Sequence, residues 1–169
     1  MKNEFKIKVR ESLLSSAKDY FSLLTKLIIL DSEQFEVQKR YILKFSKTNF
    51  LHLTGLSTTL TPFEFFDKCL DSTISCDDFY LGKQRDKSTI RKKLANLVNL
   101  SEIFNGELLV QEDFIKNMIN CKIATSDNKR TLGFADGRYC LYPKTLLDKN
   151  HLDLNKPIIK VKPIIIIEN

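Results

Sequence analysis

INCKIATSDNKRTLGFADGRYCLYP, Ile119 to Pro143, is the stretch that decides the fold. It splits into INCKIATS (119–126), RTLGFAD (130–136) and YCLYP (139–143), linked by Asp127-Asn128-Lys129 and Asp136-Gly137-Arg138. Asp-Gly between apolar runs is a strong hairpin signal, because the glycine takes the positive φ that a tight turn between twisted strands requires. Consecutive strands with links this short pair antiparallel. Downstream, PIIKVKPIIIIEN (157–169) contains an I-K-V-K alternation that reads as another strand, and Pro163 confines it to an edge or a bulge.

Upstream, helices dominate. Leu13, Leu14, Ala17, Phe21, Leu24, Leu27 and Ile28 recur at helical spacing and predict a helix over 11–30. VQKRYILKFS (37–46) reads as a strand. NFLHL (49–53) reads as a second short strand, ended by Thr54 and Gly55. Thr61-Pro62 with Glu64 predicts a capped helix start, and Phe63, Phe66, Cys69 and Leu70 continue it. Residues 75–87 read as a polar loop. Ile90, Leu94, Leu97 and Val98 make an amphipathic helix capped by Ser88 and stopped by Asn105-Gly106, and a helical turn is expected at 112–118. Segregated helices and antiparallel strands define an α+β class, with an N-terminal helix and further helices packed on an antiparallel sheet. The 169 residues suit a single domain, a helical segment at 1–36 followed by an α+β core at 37–169.

Composition excludes several classes. There are 27 Lys and Arg against 21 Asp and Glu, a net charge of +6 that favours a polyanionic partner. Neither LLTKLIIL (23–30) nor IIII (164–167) approaches the roughly 20 apolar residues of a membrane span, and the opening residues do not resemble a signal peptide, so a cytoplasmic protein without a membrane partner is expected. Cys69, Cys76, Cys121 and Cys140 form no C-x-x-C pair. With only His52 and His151 as imidazoles, no zinc pattern can be assembled, and no metal or other cofactor is expected. Glycine-rich phosphate loops, the G-x-S-x-G elbow and H-E-x-x-H are absent.

His52 is the strongest candidate for chemistry, since an imidazole titrates near neutrality and can act as a general acid or base. If Leu51 and Leu53 face one side of a strand, His52 and Thr54 face the other, where Lys44 and Ser46 of the neighbouring strand can meet them. An ordinary half-exposed sheet would carry the same residues. Lys144 and Thr145, just past a strand end, pair a cation with a hydroxyl and can hold a phosphate; a strand followed by a polar turn is the alternative. Lys83, Arg85, Lys87, Arg91, Lys92 and Lys93 place six positive charges against Asp86 within eleven residues. Arg91, Lys92 and Lys93 fall largely opposite the apolar face, as a solvated helix face or as a nucleic-acid contact.

Taken together, HLTG (52–55), FEFFDKCL (63–70), the basic connector, LGF (132–134) and YPKTLL (142–147) resemble the phage-type barnase–EndoU–colicin–RelE nuclease family, most closely its fourth group. The resemblance spans about residues 38–165. It implies a small metal-independent ribonuclease of a phage or mobile element, acting as a toxin or defence effector on an RNA such as tRNA or mRNA, with a neutralising antitoxin or immunity protein as a partner. Position by position, it implies His52 as acid or base, Thr54 orienting it or touching phosphate, and Lys144 and Thr145 on the scissile phosphate. Lys44 and Arg138 join them by proximity. Arg85, Lys87, Arg91 and Lys92 would bind the nucleic acid. No second histidine completes an acid–base pair; Lys44, Tyr142 or a hydroxyl relay are the substitutes. The rival readings are a non-catalytic module that binds nucleic acid or protein, a two-histidine phosphoesterase, which would need a second H-x-T where the chain has His151-Leu152-Asp153, and an immunity component.

Overall fold

The first helix does not lie where the apolar spacing places it. The structure, a computed structural model, describes residues 3–83 and 85–168. Helix α1 (Asn3–Phe21) buries Phe5, Val9, Leu13, Ala17 and Tyr20, one stripe at steps of four and three. The helix expected over 11–30 therefore starts earlier and ends at Phe21. The chain then turns and enters strand β1 (Lys26–Asp31). Ile28, Ile29 and Leu30 are buried there, and the β-branched pair suits a covered strand better than a helix.

The second correction moves His52. Strand β2 (Arg40–Lys44) forms as expected, but NFLHL is helical, within α2 (Lys47–Thr54). Ser46 caps it in a reciprocal box: its hydroxyl accepts from the Thr48 N–H at 3.2 Å, and Asn49 Oδ1 accepts from the Ser46 N–H at 3.2 Å. Gly55, at φ 75°, ends the helix in the left-handed conformation. Phe50, Leu53 and Thr54 are the buried positions, a spacing of three and four that replaces the expected alternation of two. Tyr20 fixes the start of this helix. Its ring packs edge-on to Phe45, Phe50 and Phe66 at 5.2–5.7 Å, and its hydroxyl donates to the Ser46 carbonyl at 2.6 Å.

Helix α3 (Pro62–Leu70) begins as read, with the Thr61 hydroxyl accepting from the Glu64 N–H at 3.1 Å. Strands β3 (Leu56–Thr58) and β4 (Phe79–Leu81) form a small ribbon, so the stretch read as a polar loop contains a strand. Helix α4 (Lys87–Leu97) is capped by Asp86 instead of Ser88, and a 3₁₀ turn at Leu100–Phe104 precedes Asn105-Gly106. Buried Arg130 ties the end of α4 down. Its Nη1 donates to the Asn96 and Asn99 carbonyls at 2.9 and 3.2 Å, and its Nε donates to Asp127 at 3.1 Å.

No helical turn occupies 112–118. Strand β5 (Leu108–Lys116) runs through it to a two-residue turn in which Asn117 and Met118 both have positive φ. Strands β6 (Ile119–Ser126), β7 (Arg130–Asp136) and β8 (Leu141–Asp148) continue the meander. β9 (Ile159–Val161) and β10 (Ile164–Ile167) complete an eight-stranded sheet ordered β10-β1-β2-β8-β7-β6-β5-β9. Lys144 and Thr145 thus lie within β8, not beyond a strand end. The edge strands β9 and β10 are separated only by Lys162 and Pro163. Three peptide steps reach at most about 11 Å, so the sheet curls until its edges lie close together. The class is mixed α+β, with one departure from an antiparallel sheet: β2 meets β8 parallel, in register at Leu43–Leu141 alone.

Removing the α2 cap tests this assignment. Ser46→Ala costs about 1 kcal/mol of stability, read from the urea midpoint at unchanged slope; no change would mean that the segment is not a capped helix.

Candidate active site

Past the single Leu43–Leu141 pair, β2 ends at Lys44 while β8 runs on to Asp148, its edge no longer paired with β2. Helices α2 and α4 lie against β8, and a cleft of about 440 Å³ opens between them. Gly133 stands opposite Thr145 and Phe134 opposite Pro143, so Lys144 is the extra residue of a β-bulge, a device that re-aims side chains. Gly133 makes room for this. A Cβ there would sit 2.5 Å from Cys121 Sγ and 2.9 Å from Thr145 Cγ2.

His52 enters the cleft from the last turn of α2, exposed where Phe50 and Leu53 of the same helix are buried. Its pKa lies below the ordinary histidine value. Partial removal of the ring from water, on the side that faces the cleft, is the largest cause, followed by the charges of Lys93, Arg85 and Lys144; a contact with the Lys144 backbone opposes them. At neutral pH the imidazole therefore carries no charge and can accept a proton.

Lys93 enters from α4. Its Nζ donates to the Leu146 carbonyl at 3.0 Å. Its stem crosses Gly55, where a Cβ would lie 2.8 Å from Lys93 Cδ. Burial first, and the Arg85 charge second, bring the amine down to about 8. Lys144 donates to the Asn120 carbonyl at 2.7 Å and also lines the cleft. Thr145 is 6% exposed, lines the cleft, and makes no hydrogen bond through its hydroxyl to another described residue. Arg85 and Lys92 add charge at the wall. Asp148, held by Asn96 Nδ2 at 3.1 Å, is the one carboxylate of the described lining.

The structure thus brings together His52, Lys144, Thr145, Arg85 and Lys92. It sets the five other candidates apart. Thr54 is buried, its hydroxyl donating to the Leu51 carbonyl at 2.6 Å and accepting from the Leu56 N–H at 3.1 Å. Lys44 pairs with Glu168. Arg138 stacks on Tyr139 at 5.2 Å, beside a second pocket. The basic run divides, with Lys87 and Arg91 lying over the Phe5 ring at 5.2 and 5.3 Å. Lys93 does not lie opposite the apolar face of α4, as its place in the charge run suggests. It follows buried Ile90 by three and precedes buried Leu94 by one, and that spacing is the signal that places it beside the buried stripe. Among the described residues no three His, Cys, Asp or Glu side chains cluster as a metal-ligand set.

Cations gathered around an uncharged imidazole make a cleft suited to phosphodiester chemistry. His52 of HLTG and Lys144 to Leu147 of YPKTLL line it, and LGF pairs with YPKTLL across β7 and β8. The family model described as phage-Barnase-EndoU-ColicinE5/D-RelE like nuclease4 matches residues 12–166. The chain belongs to this nuclease family. No curated protein and no solved structure matches it significantly. No described helix is long and apolar enough to cross a membrane.

At Gly55 the end of the helix that carries His52 packs against the Lys93 stem of α4. Gly55→Ala forces a left-handed alanine, worth about 1–2 kcal/mol, and displaces the Lys93 stem. Gly106→Ala, with nothing within 4 Å of its Cβ, is the control and shifts stability by less than about 0.5 kcal/mol. Urea unfolding of both variants checks the contrast.

Proposed function

We propose that the protein is a metal-independent endoribonuclease of a phage or mobile element, with a toxin or defence role. The observation that carries this reading is the uncharged His52 imidazole in a cleft walled by Arg85, Lys92, Lys93 and Lys144. His52 takes the proton of a ribose 2′-OH. The 2′ oxygen attacks the adjacent phosphorus, and the P–O5′ bond breaks to leave a 2′,3′-cyclic phosphate and a 5′-OH. Lys144 and the Thr145 hydroxyl face the phosphoryl oxygens, where charge grows in the transition state. Arg85 and Lys92 hold flanking phosphates without reading sequence. In this reading the protein meets its RNA in the cytoplasm, and a neutralising antitoxin or immunity protein restrains it.

The test is cleavage of total bacterial RNA and of tRNA in EDTA, beside His52→Ala. The wild type yields discrete products ending in cyclic phosphate. The variant, with an unchanged melting temperature, loses about 10²–10⁴-fold. Because the His52 pKa is lowered, activity persists to a pH below that of an ordinary histidine, about 6.5, and falls as the ring protonates. Salt-dependent RNA binding without product would establish the non-catalytic reading instead. Cleavage that requires magnesium would overturn the mechanism.

A further inference from the structure

An in-line cleavage needs a proton for the departing 5′ oxygen as well as a base for the 2′-OH, and the sequence offers no second histidine for it. The structure narrows the substitutes. Lys44 is occupied by Glu168, away from the cleft. The Tyr142 ring lies against Gly137, whose added Cβ would fall 2.2 Å from Tyr142 Cε2, and Tyr142 does not line the cleft. Asp148 accepts from Asn96. Lys92 is exposed, and Lys144, re-aimed by the bulge, is already assigned to the phosphoryl oxygens in the ribonuclease reading.

We propose that Lys93 is the second proton-transfer group of this site, protonating the 5′ oxygen as it leaves. The proposal rests on the ribonuclease reading and extends it to the leaving group. Three observations support it. The Lys93 amine lines the same cleft as His52 and Thr145. It is held in place by the Leu146 carbonyl at 3.0 Å and makes no other hydrogen bond to a described side chain or carbonyl. Its stem is fixed by Gly55, the residue that ends the helix bearing His52. Orientation is therefore built in before substrate arrives, as proton transfer requires. Burial gives the group its temper. An amine brought down to about 8 is still charged at pH 7 but yields its proton far more readily than a free lysine.

The step balances. One proton leaves the 2′-OH for an imidazole nitrogen of His52, the 2′ O–P bond forms, and the P–O5′ bond breaks. Its electron pair stays on O5′, which takes a proton from Lys93 Nζ. Solvent then restores both groups.

The experiment compares an oligoribonucleotide with one that carries sulfur in place of the bridging 5′ oxygen at a single linkage. A thiolate leaves without protonation, so the sulfur ester does not need the acid. Lys93→Met keeps the stem over Gly55 and serves as the main variant, with Lys93→Arg as a second that retains the charge. The expected result is a loss of about 10²–10⁴-fold for Lys93→Met on the oxygen ester and less than a tenth of that loss on the sulfur ester, whereas His52→Ala loses activity on both. The groups facing Lys93 are His52 from α2, Arg85 and Lys92 from α4 and its lead-in, and Lys144 and Asp148 from β8. With these unchanged, the wild type loses activity above about pH 8 on the oxygen ester, that limb is missing on the sulfur ester, and Lys93→Arg shifts it upward. Equal losses on both esters for folded Lys93→Met, or for Lys93→Arg if the methionine variant does not fold, would overturn the assignment while leaving the ribonuclease reading intact. Full activity of Lys93→Met on the oxygen ester would do the same. A folded wild type that cleaves neither ester would overturn both.

Discussion

Everything at the site depends on where the pairing of two strands stops. β2 and β8 run parallel and touch in register only at Leu43 and Leu141. A longer pairing would zip the β8 edge shut and leave no space for side chains between sheet and helices. Because the strands separate, β8 has backbone groups to be satisfied elsewhere, as buried polar groups must be. Lys93 supplies one such partner by donating to the Leu146 carbonyl. The same contact that completes the sheet edge thus brings a partly buried cation into the cleft. The bulge at Lys144 adds a second cation from the strand itself.

The helices that close this cleft are held at points far from it. Tyr20 and Phe50 fix the start of α2 through edge-to-face packing and the Ser46 carbonyl, while Gly55 fixes its end. Arg130 fixes the end of α4 through the Asn96 and Asn99 carbonyls. Such tethering lets an imidazole and an amine share a small volume without the packing relaxing them apart. Electrostatics follows from that geometry. Removal of both groups from water, and then the surrounding cations, disfavour their charged forms, so His52 and Lys93 hold their protons less tightly than free side chains do.

Much of this was legible in the sequence, and the rest was hidden for physical reasons. Thr61-Pro62 with Glu64 is a local signal and formed as read; so did the strands on either side of Asp127–Lys129 and Asp136-Gly137. NFLHL was ambiguous, because five residues with three apolar positions fit either period. Ser46 and Gly55, one cap at each end, were the decisive punctuation. The polar stretch around Gln111 and Glu112 reads as a turn only without its distant partners. Gln111 exchanges two hydrogen bonds with the Asp153 backbone at 2.8 Å, and Glu112 accepts from the Glu36 and Val37 N–H groups and from Tyr41. Motifs point to His52, Lys144 and Thr145, which line one cleft, whereas the charge run around Lys93 hides that it lines the same cleft. Only a strand at 49–53 would set Lys44 and Thr54 beside His52; on helix α2 Thr54 turns into the core and Lys44 pairs with Glu168.

The central claim is that the cleft between α2, α4 and β8 is where a phosphodiester is held. A crystal structure with a short RNA made uncleavable by 2′-fluoro substitution tests it most directly. The account predicts one phosphate seated among His52, Lys93, Lys144 and Thr145, with its 5′ oxygen toward the Lys93 amine. RNA bound instead on the Arg138–Tyr139 hairpin or along the Lys87–Arg91 face, with the cleft empty, would contradict it.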